Sequence, residues 1–253
     1  MESPAIELRE VVKAYGTKVA VRGVSLDVRA GEIFAFLGPN GAGKTTTIKL
    51  IAGLLHADDG SVRVCGHAVG ENGLAAKACL AYVPDQPFLY EKLTGREYLE
   101  FVRQMYRVAK DVAAERVASL SARLDMSSFL DRLSEGYSHG MKQRVVLAGA
   151  LLHDPDVLVI DEPMVGLDPR TVRTVKDLFL ERTARGKTIF MSTHTLEVAE
   201  AVAHRIGIIH NGNLIRVGTF GELQSEASKQ QSLEEIFLHL TEDQSFDDVE
   251  GVP

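Results

Sequence analysis

The hydrophobic pattern changes period along the chain. In "VSLDVRAGE" Val24, Leu26 and Val28 alternate with polar residues, and Val62 and Val64 do the same in "GSVRVCG". Together with "AIELREVVKAYG" these segments predict antiparallel strands with one face exposed to water. "IFAFLG", in the same region, is a short apolar run, the pattern of a strand covered on both faces. From residue 93 to about 131 the spacing turns helical, in "TGREYLEFVRQMYRV" and "VAAERVASLSARLDM". Thr94 stands three residues before Glu97, a capping box that predicts a helix start. Strand patterns return in "DVLVID" and "KTIFMSTH", the second followed by a helical "TLEVAEAVAHR". "RIGIIHNGNLIRVG" reads as two strands joined at Asn211-Gly212. "SLEEIFLHLTED" predicts a closing amphipathic helix, and residues 241–253 an acidic, frayed tail. Strands alternating with helices imply an α/β fold with a mostly parallel central sheet. To it are added an N-terminal antiparallel β-subdomain and an inserted α-helical subdomain at about 93–153, all within one domain over 1–240.

Composition narrows the partners. The formal net charge is −7 and no basic block offsets phosphate repulsion, so no nucleic-acid partner is expected. Two cysteines, Cys65 and Cys79, are too few for a disulfide framework. They read as small buried hydrophobes in a reducing cytoplasm. "MESPAIELRE" has no basic stretch followed by an apolar one, so no secretory signal is expected. No window approaches the roughly 18 apolar residues of a membrane span.

The chemistry begins at residues 38–46, "GPNGAGKTT". Gly38, Gly43, Lys44 and Thr45 fit the spacing of a phosphate-binding P-loop, between a buried strand pattern and a helical one. The backbone of Gly38, Pro39, Asn40, Gly41, Ala42 and Gly43 would curl around a phosphate chain, completed by the helix amides at Lys44, Thr45 and Thr46. Lys44 would neutralise β- and γ-phosphates, and Thr45 would offer a hydroxyl to Mg²⁺. "VLVIDEP" supplies the acids: Asp161 for the metal and Glu162 to orient or deprotonate a water. The chain therefore reads as a P-loop NTPase, with a nucleoside triphosphate and Mg²⁺ expected at the site.

A further segment, "YSHGMKQR", sets a puzzle. Ser138 can cap a helix, but Lys142 and Arg144 then fall in its first turns, where the helix dipole disfavours positive charge. "GPNGAGKTT", "YSHGMKQR", "VLVIDEP", "VGLDP" and "STH", in that order over residues 6–240, resemble the ATP-binding subunit of ATP-binding cassette (ABC) transporters, and "LTGREYL" and "SLEEIFLHL" resemble those of exporter-type systems. The resemblance implies two cassettes stacked head to tail around two ATP molecules. Each site would take its P-loop from one copy, and Ser138, His139 and Gly140 from the other. It also implies that Tyr15 stacks on adenine, that Glu162 is the general base, that His194 contacts the γ-phosphate and that Asp168 sits at the dimer seam.

Two positions depart from the family pattern. After the proline of "YVPDQPF" the family usually has glutamine, where this chain has Asp85, with Gln86 one place later. Asp85 is taken as the residue that meets metal or water and couples the site, although a one-residue bulge would return Gln86 to it. His139 replaces the usual glycine. Either its ring turns to solvent, the reading preferred from sequence, or it donates to the neighbouring nucleotide.

Translation-type cassette proteins usually hold two cassettes, and repair-type ones a long coiled coil. This chain has one cassette and no sustained heptads. The expectation is an ATPase of an ABC exporter, forming a homodimer at the cytoplasmic face of the membrane as a peripheral subunit. Its integral membrane partners would be encoded separately, with Phe88 and Tyr90 lining their docking groove. The alternative is a soluble cassette ATPase acting on a translation or repair complex.

Overall fold

The computed structural model describes residues 3–70 and 73–226. Strands β1 (Ile6–Tyr15), β2 (Lys18–Val28), β4 (Asp59–Val64) and β5 (His67–Ala68) form an antiparallel sheet in the order β2-β1-β4-β5. The alternation predicts its faces: Val24, Leu26, Val28, Val62 and Val64 are all buried. In β1 the alternation breaks after Leu8, because the register shifts against both neighbours between residues 8 and 12. Glu10 there is left-handed, φ 47°, and its amide is held by Ser25 Oγ at 2.9 Å. The bulge curls the strand, so Val11 rather than Glu10 returns to the core.

The second sheet has six strands. β3 (Ile33–Leu37), β6 (Leu80–Val83), β7 (Val157–Asp161), β8 (Thr188–Thr193) and β9 (Arg205–His210) run parallel, and β10 (Asn213–Gly218) is antiparallel at the edge. The order is β10-β9-β3-β8-β7-β6. Every residue of β3, β7 and β8 is buried, as the apolar runs predict. The pleat divides them between two cores. Ile33, Ala35 and Leu37 face the core shared with the helices, and Phe34 and Phe36 the core shared with the antiparallel sheet. Phe34 stacks on Phe190 at 5.6 Å, and Gly207 leaves room for it, since a Cβ there would lie 2.7 Å from Phe34 Cζ. Each buried phenylalanine contributes roughly 1.5–3 kcal/mol of transfer free energy.

Helix α1 (Lys44–Ile51) follows β3, and α2 (Leu74–Cys79) leads directly into β6. Between β6 and β7 come α3 (Gly95–Met105), α4 (Lys110–Arg123) and α5 (His139–Leu152). Both halves of the Thr94–Glu97 capping box are formed at the start of α3. The buried Tyr137 hydroxyl fixes that start, donating to Phe129 O at 2.7 Å and accepting from the Gly95 amide at 3.1 Å. A 3₁₀ turn at Ser134–Gly136 precedes α5, and α6 (Pro169–Ala184), α7 (Leu196–Val202) and α8 (Phe220–Glu226) complete the described elements. Asn211 and Gly212 have φ of 46° and 82° and join β9 to β10, as the dipeptide predicts. The closing helix and acidic tail expected from sequence lie outside the described residues. Among the described residues no helix is long and apolar enough to cross a membrane.

Candidate nucleotide site

The site lies at the carboxyl ends of the parallel strands, where loops leave the sheet. β3 ends at Leu37, and the chain turns through residues 38–43 into α1. The turn needs its glycines. Gly43 is left-handed, φ 111°, and a Cβ there would collide with the Ala20 carbonyl. A Cβ on Gly38 would collide with the Ile209 carbonyl. Lys44 folds back over the loop, donating to Gly38 O at 2.6 Å and Pro39 O at 3.1 Å. Burial lowers the Lys44 pKa, and the nearby Glu162 and Asp161 oppose that shift. A buried ammonium satisfied by carbonyls is ready to exchange those partners for phosphate oxygens.

The loop opens into a cleft of about 300 Å³. Tyr15, Pro39, Asn40, Gly41, Gly43, Lys44, Thr45, Thr46, Asp85, Asp161 and Glu162 all line it. Gly38 and Ala42 stand behind the lining, Ala42 buried and its carbonyl accepting from the Gly212 amide at 2.9 Å. Tyr15 ends β1 half-exposed, with Lys13 Nζ 6.0 Å from its ring centroid. Lys18 and Ala20 of β2 also line the cleft. Nothing in their local sequence distinguishes them from ordinary strand residues; only the fold brings them there.

Asp161 closes β7 fully buried, and Ser192 of β8 donates its hydroxyl to Asp161 Oδ1. The parallel register, which pairs Asp161 with Ser192, makes that contact. Ser192 is the supporting residue that sequence reasoning passed over. Glu162 is left-handed, φ 52°, with its amide 3.2 Å from Ser192 Oγ. Pro163 follows it, so the chain cannot simply run on into a helix. The result turns Glu162 into the cleft, where its Oε1 lies 2.8 Å from His194 Nδ1. His194 itself is outside the lining and 54% exposed at its side chain, against 12% for Glu162. Thr45, Asp85 and Asp161 add a hydroxyl and two carboxylates to one cleft, the hard oxygen donors that fit Mg²⁺. Asp85 lines the cleft and Gln86 does not; Gln86 is exposed, its amide 3.5 Å from Asp85 Oδ2.

Ser138, His139 and Gly140 are absent from this cleft. Ser138 caps α5 as predicted, accepting from the Met141 amide at 3.3 Å. The preference for a solvent-facing His139 is corrected. Its Nε2 is buried without a hydrogen-bond partner, and its ring covers Gly166 so closely that a Cβ there would lie 2.5 Å from His139 Cδ2. Gly140 makes the same contact from beside it, since its own Cβ would lie 2.7 Å from Gly166 O. The start of α5 therefore rests on the "VGLDP" loop. That loop ends at Asp168, the N-cap of α6, which accepts from the Arg170 and Thr171 amides, each at 3.0 Å. Thr171, through its hydroxyl first, holds the exposed Asp168 carboxyl below its usual range. The bonds of Arg144 explain one awkward cation: it donates to Leu124 O and Asp125 O, with its guanidinium 4.9 Å over Phe129.

Comparisons with known proteins agree with this geometry. The family model described as "ABC transporter" matches residues 21–165. The Nod factor export ATP-binding protein I of Burkholderia orbicola (strain AU 1054) is 39% identical over 218 residues, 86% of this chain and 72% of that protein. Among solved structures, an ATP-binding subunit of an ABC transporter superposes with a TM-score of 0.89 at 31% identity, covering 93% of this chain and 99% of the other. The dimeric ATP-binding cassette MJ0796, in a post-hydrolysis state bound to ADP and Pi, gives 0.75 at 25% identity, over 85% and 98%. A P-loop cleft closed by Asp161 and Glu162, in a fold shared with these proteins, is an ATPase site, and the chain belongs to the family of ABC transporter ATP-binding proteins.

Proposed function

We propose that two copies of this chain stack head to tail and hydrolyse MgATP at their shared faces, driving export through separately encoded membrane subunits. The observation that carries this reading is the split site. The P-loop and both acids share one cleft, while Ser138, His139 and Gly140 sit elsewhere on the same chain. A second copy would bring its own Ser138 and helix amides to the phosphates. The dimeric MJ0796 cassette is a precedent for such pairing, and the exporter relative for the direction. The relative's role also favours a transporter over a soluble cassette ATPase.

Within each site, Lys44 and the loop amides would hold the phosphate chain, Thr45 and Asp161 would bind Mg²⁺, and Tyr15 would stack on adenine. Mg²⁺ would supply neutralisation of phosphate charge. Glu162 would orient the attacking water and take its proton, and His194 would hold the Glu162 carboxylate while presenting its ring to the γ-phosphate side. Asp168 would position its loop at the seam. Asp85 would report the state of the site to the region that follows it, where Phe88, Tyr90 and Phe101 form an exposed edge-to-face ladder with centroid distances of 5.5 and 6.3 Å. That ladder, 69%, 54% and 44% exposed in chain order, is the proposed seat of the membrane subunit. The protein would then be a peripheral subunit on the cytoplasmic face. The ATP-binding unit spans 1–240, with the α3–α5 helices as its inserted subdomain.

The test is Glu162→Gln with MgATP. Losing a positioned general base slows hydrolysis by about 10²–10⁴-fold, so a dimer should accumulate on sizing with light scattering. A monomer that keeps full ATPase activity would sink the shared-site reading.

A further inference from the structure

The chain's two cysteines do not fill the core as the sequence predicts. Cys65 and Cys79 are free, only half-buried, and face one another across three elements. Cys65 occupies the two-residue turn between β4 and β5, Cys79 ends α2, and Asp156 immediately precedes β7. Both sulfur atoms and a carboxylate oxygen of Asp156 lie within 4.8 Å of one another. Such convergence of two soft donors and one hard one is not required by the local folds. The turn at Cys65 is left-handed, φ 49°, a place that ordinarily goes to asparagine or glycine.

We propose that Cys65, Cys79 and Asp156 bind a thiophilic d¹⁰ divalent cation such as Zn²⁺, with water as the fourth ligand. Zinc–sulfur bonds of about 2.3 Å and zinc–oxygen bonds of about 2.0–2.2 Å put tetrahedral donors about 3.3–3.8 Å apart. The three atoms need to close by about an ångström, which a turn residue and an exposed aspartate can supply. Lys187 sits beside the set, its ammonium 2.8 Å from Asp156 Oδ1. It offsets the negative charge of two thiolates and a carboxylate, and leaves the second carboxylate oxygen to the metal. Burial, and after it the neighbouring Cys79, raises the Cys65 pKa, so the cation must displace protons on entering.

The position gives the site its role. Asp156 lies before the first residue of β7, whereas Asp161 is its last. The cation would therefore bind at the end of the sheet opposite the nucleotide cleft, bracing the antiparallel sheet against α2 and β7 without entering ATP chemistry.

The experiment is a Co²⁺ titration of the full chain in a phosphine reductant, followed by Zn²⁺. The expected result is a near-ultraviolet thiolate-to-Co²⁺ charge-transfer band that saturates at one ion per chain. Zn²⁺ should remove the band and excess Mg²⁺ should not. Cys65→Ser and Cys79→Ser should each abolish it, and Asp156→Asn should weaken the affinity about tenfold or more. ATPase activity reports that each variant is folded. In the unmodified chain, bound Zn²⁺ should protect both thiols from maleimide. Absence of the thiolate band, its persistence in either serine variant, or alkylation that Zn²⁺ does not slow would overturn the proposal.

Discussion

Replacing Gly166 by alanine tests the contact that the structure reveals between the start of α5 and the "VGLDP" loop. The cost has two separable parts. Gly166 has φ 75°, and an L-residue in that left-handed region costs about 1–2 kcal/mol. The added methyl would also lie 2.5 Å from His139 Cδ2, where carbon atoms prefer about 3.5–4.0 Å. An overlap of that size in a packed contact costs about 1–3 kcal/mol. Gly166→Ala alone should then destabilise the protein by about 2–5 kcal/mol, the sum of those two parts. His139→Gly removes the ring and with it the second part only. The double variant should recover about 1–3 kcal/mol relative to the sum of the singles, a coupling typical of residues in contact. Urea unfolding of the nucleotide-free protein reads the stabilities. The apparent KM for ATP reads the consequence, because a displaced α5 start would misplace Ser138 in the proposed shared site. KM should rise in Gly166→Ala and fall back in the double variant. Strict additivity of the two substitutions would show that the ring does not rest on the loop, and the argument would fail.

Two further predictions concern coupling. Asp85→Ala should lower ATP turnover while Gln86→Ala leaves it nearly unchanged, because only Asp85 lines the cleft; the reverse order in a phosphate-release assay would return the role to Gln86. Phe88→Ser combined with Tyr90→Ser should leave the ATPase of the isolated subunit intact and abolish copurification with its membrane partner, since both rings are exposed and touch no catalytic group; undiminished copurification would place the docking surface elsewhere.

What the sequence discloses follows from the range of the forces involved. β3, β7 and β8 are legible as apolar runs because parallel strands are covered on both faces. The Thr94 capping box and the Asn211-Gly212 turn are legible because each is settled within four residues. The start of α6 is written locally, with Asp168 as N-cap and Pro169 in its first turn. α2 is only six residues long and has no side-chain cap, so it leaves little local signal. In the site, the P-loop and Asp161-Glu162 are contiguous motifs. Lys18, Ser192 and the His139–Gly166 contact join residues far apart in sequence, and no spacing rule reaches them.

The two helix starts on either side of the "VGLDP" loop show why a second subunit suits this chain. α6 is satisfied from within: Asp168 takes two amides and the Thr171 hydroxyl, and Pro169 needs no acceptor. α5 is not. Ser138 accepts from Met141 N alone, which leaves the His139 and Gly140 amides outside the cap, and no acid lies in the first turn. Arg144 spans from Gly140 O at the start of α5 to the Leu124 and Asp125 carbonyls beyond α4, so its donors are taken up by backbone. The remaining positive end, with Lys142 beside it, has the chemistry of an anion site. The cleft that holds the P-loop contains none of these residues. An ATP held in the cleft of another copy would supply the missing anion, and the same logic makes the contact of His139 with Gly166 the internal link between the two half-sites of a single chain.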